Sequence, residues 1–191
     1  MEQVKELRAR TGAGVVDAKT ALTETAGDID QAITLLRKKG KAVATKKADR
    51  ATREGTIATY IHSNSKVGVM ISLLCETDFV ARNETFKELA RNLALHIAAA
   101  DPTVVRPEDV TPEAVAAEEA IALEQAKASS KPANIQEKIV AGKLKTFREE
   151  QALLTQPYVK DPSRTVGELI QEAQATLGEN ISVKEFKRFS I

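Results

Sequence analysis

Apolar residues recur along this chain with two different periods, and the switch between them divides it. Over the first forty residues the spacing is helical. Val4 and Leu7 stand one turn apart, before a Thr11-Gly12-Ala13-Gly14 break. Ala18, Ala21, Leu22 and Thr25 form a second helical stretch, which Gly27 ends. Asp28 precedes a third, carried by Ile29, Ala32, Ile33 and Leu36. Asp28 with Gln31 has the form of a capping box: the carboxylate accepts an orphan amide and the glutamine reaches back. Arg37, Lys38 and Lys39 set cations against the exposed carbonyls of a last turn. Gly40 then suits the left-handed residue that ends a helix. The pattern predicts a three-helix module over residues 1–40. It is too small to bury much and is suited to presenting a surface.

From residue 57 the period is two. Ile57, Thr59 and Ile61 alternate with Ala58, Tyr60 and His62. Ser63-Asn64-Ser65-Lys66 reads as a polar turn, and Val67, Val69, Ile71, Leu73 and Cys75 follow at spacing two. This predicts a β-hairpin. Helical spacing returns at Phe86, Leu89, Ala90, Leu93 and Ile97, and Asp101-Pro102 stops it. Further helices are expected from Glu113 to about Ser129, from Ile135 to about Leu153, and from Val166 to Leu177, with Gly178 as a stop. Ile181 to Phe189 reads as a closing strand. Its alternation breaks near Lys184-Glu185, as at a bulge. A hairpin alone is marginal in water. The closing strand is therefore expected to complete a three-stranded antiparallel sheet covered by helices, an α+β fold. The expected divisions are a module at 1–40, a basic linker at 41–54 and an α+β core at 55–191.

Composition narrows the class. Hydrophobic residues make up 42% of the 191 and charged residues 29%, which suits a folded globular chain. With aromatics at 4% and no Trp, the core must be built mostly of Ala, Leu, Ile and Val. A net charge of +1 gives the whole chain no strong drive toward nucleic acid or membrane. Cys75 is the single cysteine, so no intrachain disulfide forms and a reducing compartment is expected. No apolar run approaches the roughly 20 residues that span a bilayer. The opening Met1-Glu2-Gln3-Val4-Lys5 lacks the apolar core of a signal peptide, so the expected location is the cytoplasm. One charged run stands out: eight Lys or Arg over residues 37–53 against Asp49. Its plain reading is a solvated, partly helical linker; its sharper reading is contact with an acidic surface or RNA. The absence of aromatics within it counts against single-stranded RNA.

Candidate chemistry is sparse. Thr11-Gly12-Ala13-Gly14 is too short for a phosphate-binding loop and lacks its Lys-Ser/Thr. His62 and His96 are the only histidines, and no cysteine or histidine cluster has zinc-ligand spacing. The pattern therefore implies no catalytic residue, metal or cofactor. Glu76-Thr77-Asp78-Phe79-Val80-Ala81-Arg82-Asn83 is the unusual stretch, with an acid beside a large aromatic at a strand-to-helix junction. Phe79 either tucks under the following helix while Asp78 caps it, or stands out as an interface anchor with Asp78 as its charged neighbour.

A family resemblance bears on that choice. Lys5-Glu6-Leu7-Arg8, Thr11-Gly12-Ala13-Gly14, Asp17-Ala18-Lys19, Ala21-Leu22 and Gly27-Asp28-Ile29 resemble the N-terminal module of the elongation factor Ts family. Cys75 to Ala81 is similar to its Thr-Asp-Phe-Val motif. His96-Ile97-Ala98, Gly142-Lys143-Leu144, Gln156-Pro157-Tyr158-Val159 and Gly178-Glu179-Asn180-Ile181 match in the same order. The resemblance implies a guanine-nucleotide exchange factor for elongation factor Tu, with no covalent chemistry of its own. It implies a ubiquitin-associated-like module that docks on the partner's GTPase domain, and Lys19 as a contact. It implies a wedge at Thr77, Asp78, Phe79 and Val80 that dislocates magnesium, and further contacts at His96, Leu177 and Gly178. The chain has one core module where longer members have two, which implies a homodimer; direct nucleic-acid binding and membrane association are not expected. Two alternatives remain beside it: an RNA-binding protein using residues 37–53, and a small hydrolase built around a histidine.

Overall fold

In the computed structural model, residues 1–129 and 131–191 are described, without the side chains of Lys41 and residues 43–46. The chain forms two compact units, one of Met1–Leu95 with Glu168–Ile191 and one of His96–Gly167.

The first unit begins with α1 (Glu2–Thr11), α2 (Val15–Glu24) and α3 (Ile29–Lys47). Leu7, Ala18, Ala21, Leu22 and Ala32 form their buried centre, with Val4, Ile29, Ile33 and Leu36 packed around it. The expected turns are present. Gly12 takes the left-handed conformation at φ 67° and its amide closes on Arg8 O, which ends α1. The Gly27 amide reaches Leu22 O at 2.8 Å past the end of α2. The Asp28 carboxylate accepts the Gln31 amide at 2.9 Å. The Gln31 side chain bonds that same carboxylate instead of the Asp28 backbone, so the cap is half of the expected box. One expectation fails outright: Gly40 does not end the third helix. α3 runs on to Lys47, through what the pattern reads as linker. Its middle meets a helix from the far end of the chain, α8 (Val166–Leu177): Arg37 pairs with Glu172 at 3.3 Å and a Cβ at Gly40 would sit 3.4 Å from that of Ala175. Tertiary contact thus overrides the local stop signal.

β1 (Glu54–Ile61), β2 (Val67–Cys75) and β5 (Ser182–Ser190) form a sheet in the order β1-β2-β5, antiparallel throughout. Val69, Ile71, Leu73 and Cys75 on β2 are buried, as alternation requires. The register on β5 skips Lys184: Val183 faces Leu73, whereas Glu185 faces Ser72. This is the expected bulge, and it lets both Val183 and Phe186 oppose core-facing residues. The opposite sheet face exposes Ile57, Ile61, Met70 and Phe189. α5 (Glu84–Ala100) follows a short α4 (Asp78–Arg82) and buries Phe86, Leu89, Ala90 and Leu93.

The second unit holds the last turn of α5, then α6 (Pro112–Ala128) and α7 (Ala133–Gln151). The two helices pair along Ala122, Ala126 and Val140, a seam of mostly small residues. A two-stranded ladder of β3 (Pro157–Tyr158) and β4 (Asp161–Thr165) completes it. Among the described residues, no helix is long and apolar enough to cross a membrane.

Candidate functional site

The stretch singled out by sequence lies where β2 ends. Thr77 is the N-cap of α4 and its hydroxyl accepts the Val80 amide at 3.4 Å. Capping therefore falls to Thr77 and not to Asp78, because a threonine in extended conformation already stands one position before the helix. Asp78 opens the helix and pairs with Arg82 at 3.0 Å. Phe79 is 84% exposed, which rules out the tucked arrangement. Val80 is half-buried. No residue of α4 is fully buried, so this helix contributes little apolar anchorage of its own.

Anchorage comes from the other end of the chain. Gly178 follows α8 at φ 79° with its amide on Gln174 O at 3.0 Å, a left-handed stop that turns the backbone toward the 76–77 segment. One Glu179 carboxylate oxygen accepts the Glu76 and Thr77 amides, each at 3.0 Å, and the other accepts the Thr77 hydroxyl at 2.6 Å. In return Glu76 Oε1 accepts the Asn180 amide at 2.6 Å. Asn180 is buried and donates to the carbonyls of Ala48 and Arg50, while Gln174 donates to Asn180 Oδ1 and Ile181 O. Lys47 Nζ donates to Gly178 O at 2.6 Å. Three distant segments are therefore knotted beneath Phe79. Pattern reading singled out no role for Gln174, Glu179 or Asn180, because isolated polar residues have no period. A polar Gly-Glu-Asn after a helix was the available signal.

Cys75 sits inside the same turn. Its thiol donates to Thr77 O at 3.2 Å. Burial, reinforced by the Glu179 charge, pushes its pKa up to about 11, so it stays a thiol at neutral pH.

The remaining sequence-derived positions are dispersed. Lys19 is exposed on α2, beside Val15 and Val16, which are 52% and 76% exposed. Leu177 is half-buried and Gly178 exposed, at the turn just described. His96 is another contact that the resemblance implies. It is fully buried in the second unit, its Nε2 on Gln156 Oε1 at 3.0 Å and its Nδ1 accepting the Val159 amide at 3.3 Å. Burial lowers its pKa, against a smaller opposing effect of Gln156. Both ring nitrogens are engaged within the chain. His62 is exposed and bonds Tyr60. Three cations of the basic run form ion pairs at the surface: Arg37 with Glu172, Lys39 with Glu24 and Arg50 with Glu76. Among the described residues no group of acids, histidines and cysteines could hold a metal ion.

Fold and site together define an α+β protein that holds an aromatic side chain out to solvent on a turn locked from several directions. The family model described as elongation factor TS matches residues 1–191. The elongation factor Ts of Koribacter versatilis is 54% identical over 99% of this chain and 86% of its own length. That of Rubrobacter xylanophilus is 49% identical over 100% of this chain and 98% of its own, and that of Herpetosiphon aurantiacus 51% identical over 100% and 96%. The chain belongs to the elongation factor Ts family, a family of translation elongation factors.

Proposed function

We propose that this chain is the guanine-nucleotide exchange factor of elongation factor Tu, and that Phe79 is the group it inserts. The observation that carries the reading is a phenylalanine 84% exposed on a clamped turn, in a chain of this family. Exposed aromatics of this kind are the usual high-energy anchors of interfaces. Thr77 holds the turn, Asp78 supplies a charge beside the ring, and Val80 extends the apolar surface. The three-helix module, ubiquitin-associated-like in type, docks through Lys19 with Val15 and Val16. Leu177 and Gly178 form a second contact beside the wedge. His96 serves as a brace within its own unit.

The mechanism needs no nucleophile. GDP is held through its phosphates and a magnesium ion of strict octahedral geometry. Displacing one element of that site spoils the coordination and removes the largest local positive charge. A protein that binds the disturbed GTPase more tightly must, by linkage, weaken GDP by the same factor.

A homodimer in the cytoplasm is part of the same proposal. Its support is the outer sheet face, where Ile57, Ile61, Met70 and Phe189 stand between 52% and 71% exposed. A second copy laid on that face would cover them. The ion pairs of Arg37, Lys39 and Arg50 within the chain favour bracing over RNA binding at those positions.

The test is release of a fluorescent GDP analogue from purified elongation factor Tu of the same source. Strong acceleration by the chain is expected. A folded chain that leaves release unchanged contradicts the proposal. Salt-dependent RNA binding through residues 37–53 would then be the reading to pursue.

A further inference from the structure

We propose that Glu179 is a positioning residue, which acts through the Glu76-Thr77 backbone to aim Phe79. This inference rests on the reading of Phe79 as the inserted side chain. α4 has five residues and none is fully buried, so its own length and its partial packing on β1 and β2 hold it only weakly. Its Thr77 cap is long, at 3.4 Å. The short, charge-assisted bonds at this turn come from Glu179, two to backbone amides and one to the Thr77 hydroxyl. They hold Glu76 and Thr77, two positions short of Phe79.

The clamp is reciprocal. Glu179 reaches across to the 76–77 amides while Glu76 reaches back to the Asn180 amide at 2.6 Å. The turn that carries Phe79 and the turn that carries Leu177 and Gly178 therefore move as one piece. Asn180 extends that piece to the carbonyls of residues 48 and 50, where α3 hands over to β1. The docking module and the wedge are thus tied through one buried asparagine. Pre-organisation of this kind sets how often a bound factor presents the ring in its working direction. If removal of the carboxylate lets the turn sample other directions nine times in ten, the saturated rate falls roughly tenfold.

The experiment uses the full chain with Glu179→Ala and Glu179→Gln, each alone and combined with Phe79→Ala. Amide hydrogen exchange at residues 76–80 needs no partner and reads the clamp directly. GDP release against factor concentration reads its consequence. Glu179→Ala is expected to speed exchange at the 76 and 77 amides and to lower the saturated release rate roughly tenfold. The half-saturating concentration should rise less than the rate falls, because the docking helices are untouched and only the Leu177-Gly178 contact shares the freed turn. Glu179→Gln should recover part of the rate, since its carbonyl oxygen still accepts the amides. In the Phe79→Ala background Glu179→Ala should cost nothing more, because its effect passes through the ring. An unchanged release rate with Glu179→Ala overturns the inference. So does a second full loss in the Phe79→Ala background, or faster amide exchange spread across the whole first unit, since either marks general structural damage. Wild-type release by Phe79→Ala alone overturns the wedge itself, and the inference with it.

Discussion

Phe79 and His96 differ in what surrounds them, and that difference sets what each can do. A large apolar ring held 84% exposed gains almost nothing from the folded chain that carries it. Truncating it should therefore leave stability within about 0.5 kcal/mol of the parent. Thermal unfolding followed by circular dichroism checks this; a large drop would mean that the ring supports the fold. His96 has the opposite character. Its folded pKa lies below the ordinary value because burial disfavours the cation. The unfolded chain then binds the extra proton first. The associated stability is fully present above the unfolded histidine pKa of about 6.5 and is lost as pH falls from there through the folded pKa. Urea midpoints should drop between neutral and mildly acidic pH, and His96→Gln should flatten that dependence. An equal slope in the variant would remove His96 as its origin.

Single side chains set where several helices of this chain begin. Asp28 caps α3 through the Gln31 amide, and Asp28→Ala should cost about 1 kcal/mol, read as a lower urea midpoint. A variant unchanged in midpoint would show that the cap is redundant. This cap, the hairpin, α8 and the Lys184 bulge were all legible in the sequence. Each depends on local chemistry or on a period that runs through its own segment. The failure at Gly40 has the opposite origin. Its glycine and preceding cations are a genuine local stop, but α8, about 130 residues on, packs against the same helix and extends it. β3 and β4 escaped for another reason: strands of two and five residues, with Pro157 and Pro162 among them, are too short to show alternation. The Phe79 stretch was legible as a choice between a tucked and an exposed ring, and the ring is exposed. The Glu179 clamp was not, because its partners lie about 100 residues apart.

At the scale of the whole molecule the account is one of binding energy directed at another protein. Two surfaces follow from the fold, the Phe79 turn and the outer sheet face. For the sheet face the expectation is a dimer at micromolar concentration, measured by sedimentation. Ile61→Lys with Phe189→Lys should shift it to monomers, because charges would then face charges across the interface. A monomeric parent would contradict the homodimer. The central claim concerns the other surface. The measurement that tests it most directly is the saturated rate of fluorescent GDP release from elongation factor Tu, driven by the parent chain and by Phe79→Ala. A folded variant whose rate is lower by roughly thirtyfold or more is predicted, the effect of losing about 2 kcal/mol of preference for the disturbed GTPase over the GDP-bound one. A folded variant that releases GDP as fast as the parent would contradict it.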